Sequence, residues 1–202
     1  MKVNFLTGKF IALMMIVSSA LSFTSCDDDD DKIPVVSVQE MAGEYSGKMY
    51  SETAQPAEGE DAPAGTDIDA KVENNTIIFN SFPYREFVVA IVGEDAADAI
   101  MEMVGEVKYE IAYVPQINET KDGVNFTLKP EPLSLEVPIP DSDMKLKVNV
   151  GISAEDEGAY NIASTELKFT FTAESVVLGE GEDATPIEDF VPTTLNFELK
   201  KK

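Results

Sequence analysis

The chain has 202 residues, 15 Lys+Arg against 38 Asp+Glu, a formal charge of −23, one Cys and neither His nor Trp. With 44% hydrophobic residues it is one domain's worth of chain with enough apolar mass for a core. The acidity makes nucleic acid and anionic lipid surfaces poor partners. Without His, Ser-His and Cys-His nucleophile systems and ordinary zinc sites are excluded.

Residues 1–25 differ from everything after them. Lys2 and Lys9 supply positive charge, residues 10–17 (FIALMMIV) form an apolar run, and small residues follow. This pattern reads as a signal peptide, because the run is shorter than the roughly 20 residues a membrane-spanning helix needs. The segment ends LSFTSC at Cys26, which resembles a lipobox: cleavage would leave Cys26 first in the mature chain, carrying a lipid. As the only cysteine it leaves no thiol for redox chemistry or a disulfide.

Asp27, Asp28, Asp29, Asp30 and Asp31 follow directly. Five like charges repel and stay solvated, so residues 26–38 form an acidic tether. The run also resembles the surface-export signal of Bacteroidetes lipoproteins, which implies an outer-membrane protein, lipid-anchored and facing outward from the cell.

Residues 39–202 read as a single β-rich domain. Apolar residues alternate at Ile68, Ala70, Val72; at Val107, Tyr109, Ile111, Tyr113; and at Val124, Phe126, Leu128. They alternate again at Leu133, Leu135, Val137, Ile139; at Met144, Leu146, Val148, Val150, Ile152; at Leu167, Phe169, Phe171, Ala173; and at Leu195, Phe197, Leu199. Period two marks strands with one buried face. With weaker segments at 44–50, 76–79 and 159–162, about ten strands are expected, in an antiparallel barrel or sandwich. Asp122-Gly123 reads as a tight turn with positive φ at the glycine, and EDEG at 155–158 as a second hairpin turn. Pro138 and Pro140 place the Leu133 segment at an edge or bulge. Residues 51–65 and 179–189, rich in Glu, Asp, Ala, Pro and Gly, read as mobile solvated loops.

Residues 83–104 break the period. Phe87, Val88, Ile91 and Val92, then Ala96, Ala97, Ile100, Met101 and Val104, fall at helical spacing. Pro83 suits a first helical turn and Gly93 a break, so two short helices are expected. A run as apolar as 87–92 must be buried, which favours a plug that completes the core over a mobile lid.

The lipobox, the acidic tether, the opening GEYSGK at 43–48 and the FNSFP step at 79–83 together resemble Bacteroidetes lipoproteins of unknown function with lipocalin-like, or calycin-like, barrels. The resemblance implies a barrel and assigns no catalytic residue. No cofactor or metal site is expected. Asp141 with Asp143, and Glu155, Asp156 and Glu157, lack calcium-loop spacing and read as turn residues. Two functions follow for a non-catalytic, lipid-anchored chain. One is an interaction module for a protein partner; the other is a carrier holding a small apolar ligand in the barrel. Oligomeric state is left open.

Overall fold

The computed structural model describes residues 37–53, 65–139, 142–181 and 184–202. The chain divides into two units, Met1–Pro34 and Val35–Lys202. The signal segment, Cys26 and Asp27, Asp28, Asp29, Asp30 and Asp31 all lie outside the described residues, as do Pro140 and Asp141.

Within the second unit a 3-10 turn, Val38–Met41, leads into β1 (Gly43–Thr53), β2 (Thr66–Glu73) and β3 (Thr76–Phe79). Two helices follow, α1 (Arg85–Val92) and α2 (Glu94–Val104). Then come β4 (Tyr109–Ile117), β5 (Gly123–Pro130), β6 (Leu133–Pro138), β7 (Lys145–Ser153), β8 (Gly158–Asn161), β9 (Glu166–Leu178), β10 (Thr185–Pro186) and β11 (Thr193–Lys201). Eight strands, in the order β11-β1-β2-β3-β4-β5-β8-β9, close into an antiparallel barrel because β9 pairs back onto β11. Closure removes the sheet edges that an open sandwich would leave. The fold is therefore mainly β, with the eight-stranded antiparallel barrel expected of a lipocalin-like domain, a helical insertion and extra strands.

The register fixes which end is which. Gly43 faces Val72, Tyr45 faces Lys201 and Lys200 faces Glu166, so the chain begins β1 at the end where β11 finishes; this end is called the base. The turns β2–β3, β4–β5 and β8–β9 are also there. At the opposite end, the rim, Thr193 faces Ala173, Met49 faces Thr66, and both helices stand between β3 and β4.

The β6–β7 hairpin rises past this rim. β7 pairs with the C-terminal part of β9, up to Leu178, whereas β8 pairs with residues 166–168, and both run antiparallel to β9. β7 and β8 are thus one long strand interrupted at residues 154–157. The expected hairpin turn at 155–158 is corrected: these residues bulge outward from a chain that keeps its direction. Gly158 is needed there for space, since a Cβ would lie 2.2 Å from Phe126 Cζ. On the partner strand the inward phase slips between Ala173 and Val176, matching the register shift at Gly151/Ile152.

Other local expectations are corrected too. The positive φ of the β4–β5 turn sits at Lys121 (φ 56), not at Gly123. The two-residue β2–β3 turn, Asn74-Asn75, has positive φ at both positions (50 and 57), as a type I′ hairpin requires. Pro83 precedes Tyr84, the N-cap of α1, and so lies before the first turn. The described part of residues 179–189 is not simply solvated loop: β10 pairs with β9, Ile187 N–H donates to Val176 O at 2.9 Å, and Phe190, directly after it, is buried. The Leu133 segment behaves as expected, since β6 is the last strand on the sheet path.

Candidate functional site

A hollow barrel would be the natural ligand site, so the interior comes first. Inward residues of β9 and β11 put Phe169 and Phe197 face to face, with centroids 4.6 Å apart and planes within 9°. Phe171 lies 5.0 Å and Phe79 5.5 Å from Phe197, both tilted. Phe82, delivered by the step after β3, contacts Phe79, Phe87, Tyr109 and Phe171 at 5.3–6.1 Å. Toward the base, Tyr113 meets Phe126 at 5.3 Å and Tyr45 meets Tyr160 at 6.3 Å. Each ring buried contributes on the order of 1.5–3 kcal/mol, and each offset or edge contact somewhat more.

Both ends are closed. At the base, Met41 is fully buried and its carbonyl accepts a 2.6 Å hydrogen bond from Tyr45 Oη. At the rim, Phe87, Val88 and Ala97 of the helices are buried, and α2 packs against β6. Tyr84 Oη donates to Gly105 O and Tyr109 Oη to Glu131 O, both at 2.7 Å, tying the helices and the β5–β6 junction to the barrel. Burial pushes the Tyr45, Tyr84, Tyr109, Tyr113 and Tyr160 phenols above their ordinary range. All five stay neutral at physiological pH, and Tyr45, Tyr84 and Tyr109 donate to main-chain carbonyls.

An open groove of about 480 Å³ lies on the outer wall, beside Glu44, Asp67, Asp69, Lys71 and Lys202, where acids and bases already face one another. Lys48 pairs with Asp67 at 2.8 Å and Lys202 with Asp69 at 2.8 Å. Among the described residues no three His, Cys, Asp or Glu side chains gather so as to hold a metal ion. Glu155, Asp156 and Glu157 are exposed on the bulge, and Glu157 accepts from Asn125 Nδ2 at 3.3 Å. Asp122 caps the β4–β5 turn, with Asn118 Nδ2 at 2.7 Å and Thr120 Oγ1 at 2.6 Å; these donors hold its carboxyl below the usual range.

The surface feature that sequence reading missed is at the rim. Leu146, expected inward, is 37% exposed, and Met144 is 65% exposed. The alternation is real, but beyond Val148 the hairpin has left the barrel, so its period no longer points into a core. Ile139, Val92, Met103 and Val191 are also exposed, and all belong to rim elements. The other exposed large apolar residues, Val114 and Ile117, lie along β4. A signal was present in the sequence: Pro138 and Pro140 mark an edge, and Ile139, Met144 and Leu146 stand beside them and the acidic pair Asp141 and Asp143.

Fold and interior thus define a closed, filled antiparallel barrel with an apolar rim. The family model for a domain of unknown function, DUF4840, matches residues 40–178, and the chain belongs to that family. The match runs from the end of the 3-10 turn through β9. No curated protein and no solved structure matches the chain. Among the described residues no helix is long and apolar enough to cross a membrane.

Proposed function

We propose that the protein is an exported lipoprotein, cleaved before Cys26 and anchored by lipid at that residue. The acidic run of residues 27–31 directs it to the outer face of the outer membrane, and the barrel is a non-catalytic interaction module. The signal-like first 25 residues, the LSFTSC ending and the five aspartates support anchorage and export. The observation that carries the module reading is the filled interior: the Phe169–Phe197 stack and its neighbours occupy the space a carrier would give to its ligand.

Anchorage is tested by Cys26→Ala, which releases the protein from the membrane fraction or leaves it unprocessed; a variant that fractionates and migrates like wild type sinks that part. Replacing all five aspartates by Ser keeps lipidation but lowers exposure to external protease on intact cells. The module is tested by titrating the full chain with a fluorescent fatty acid, with no saturable binding expected. Saturable binding accompanied by slowed hydrogen exchange over residues 87–104 would establish the carrier alternative.

A further inference from the structure

Resting on the interaction-module reading, the geometry points to the rim as the docking surface, and to a basic polypeptide carrying apolar side chains as its partner. Among the described residues, six of the eight exposed large apolar ones stand on rim elements: Val92 on α1, Met103 on α2, Ile139, Met144 and Leu146 at the hairpin, and Val191 before β11. Exposed apolar residues scattered singly need no explanation, but a gathering at one end of a barrel whose core is already complete does. The Ile139 N–H to Met144 O bond, 3.1 Å, continues the β6–β7 ladder to the tip and keeps the hairpin extended.

Charge selects the partner. The two helices carry Glu86, Glu94, Asp95, Asp98 and Glu102, against Arg85 as their single base. Arg85 is committed to Glu94 at 3.0 Å and Asp98 at 3.1 Å. At the hairpin, Lys145 and Lys147 are likewise engaged, by Glu136 and Glu180. Among the described residues no cation pairs with Asp95, Glu102 or the adjoining Glu106. An apolar surface rimmed by unneutralised acid attracts Lys and Arg, and it repels a second copy of a chain with net charge −23 as well as anionic lipid.

The test measures hydrogen exchange of the full chain at physiological ionic strength, with an amphipathic Leu/Lys peptide as the probe. Its Leu/Glu counterpart and phosphatidylcholine vesicles are run in parallel. The expected result is slowed exchange over residues 92–104 and 139–153, unchanged exchange in the base turn at 118–122, and no effect of either parallel probe. Replacing Met144→Ser and Leu146→Ser together weakens the Leu/Lys peptide about tenfold. Both positions are exposed, so the fold is retained. Protection confined to other surfaces, equal protection by the Leu/Glu peptide or the vesicles, rim protection that rises with protein concentration alone, or unchanged affinity in the double variant would each overturn the assignment. None of these outcomes bears on Cys26 fractionation or fatty-acid binding, so failure of the rim and failure of the anchored-module reading are separable.

Discussion

Phe197 touches three other rings, Phe79, Phe169 and Phe171, from the middle of β11. Truncating it leaves a cavity that rigid strands on all sides cannot collapse, so Phe197→Ala is expected to cost about 3–5 kcal/mol. The readout is the urea midpoint at unchanged slope; a loss under about 1 kcal/mol would mean that the ring stack is loosely packed. The buried tyrosines make a different prediction. Burial raises their phenol pKa above the ordinary value of about 10, so the stability held by the neutral phenols is complete below about pH 10 and is lost as pH rises past it. Thermal midpoints are therefore expected to be flat from about pH 7 to 9 and to fall above about 10. Tyr109→Phe should make that alkaline fall shallower while costing about 1 kcal/mol at neutral pH for the lost bond to Glu131 O. An alkaline limb as steep as wild type would remove Tyr109 from its causes. The inward phase of Tyr109 was readable from period two, whereas the hydroxyl partners of Tyr45, Tyr84 and Tyr109, main-chain carbonyls 4, 21 and 22 residues away, were not.

The helical insertion shows what an element owes to sequence and what to its neighbours. Its break falls at Gly93, as spacing predicts, and the structure supplies the reason: φ 80 and ψ 165, a region open essentially to glycine alone. Nothing lies within 4 Å of where a Cβ would stand, so Gly93→Ala tests backbone strain without steric clash. The expected cost is about 1–3 kcal/mol, measured by thermal unfolding; a neutral variant would show that the linker relaxes freely. Arg85, which bridges the two helices, is exposed at its side chain, and Arg85→Ala is expected to leave the thermal midpoint nearly unchanged. The anchorage is apolar instead, through Phe87, Val88 and Ala97. Exchange over residues 87–104 should accordingly approach that of residues 167–173 in β9, and fast exchange there would make the helices a lid. The β6–β7 hairpin is the contrary case. Its alternating pattern is indistinguishable from that of a barrel strand, because period two records one covered face and not what covers it.

At the scale of the whole molecule, 38 acids against 15 bases place the folded chain under net self-repulsion. The described ion pairs on the barrel wall, such as Lys48–Asp67 and Lys168–Glu198, are exposed and offset little of it. Added monovalent salt is therefore expected to raise the thermal midpoint, since the Debye length falls from about 30 Å at 0.01 M to about 10 Å at 0.1 M. A midpoint that falls with salt would mean that favourable pairs outweigh the excess acid. The direction is set by composition alone and does not depend on the fold.

The sequence by itself determined the mainly β class, the faces of the strands inside the barrel, the two helices with their glycine break and the edge character of β6, because each rests on local periodicity or on a residue's own backbone limits. The charge balance was equally plain. Barrel closure was decided only by the tertiary structure. It depends on β9 pairing with β11 across the turn of the sheet, a long-range register that no local pattern encodes. The same holds for the 154–157 bulge, which looks like a turn until β9 holds β7 and β8 in one line, and for Met144 and Leu146. Whether an apolar residue is core or surface depends on whether another element lies over it, and past the rim none does for these two.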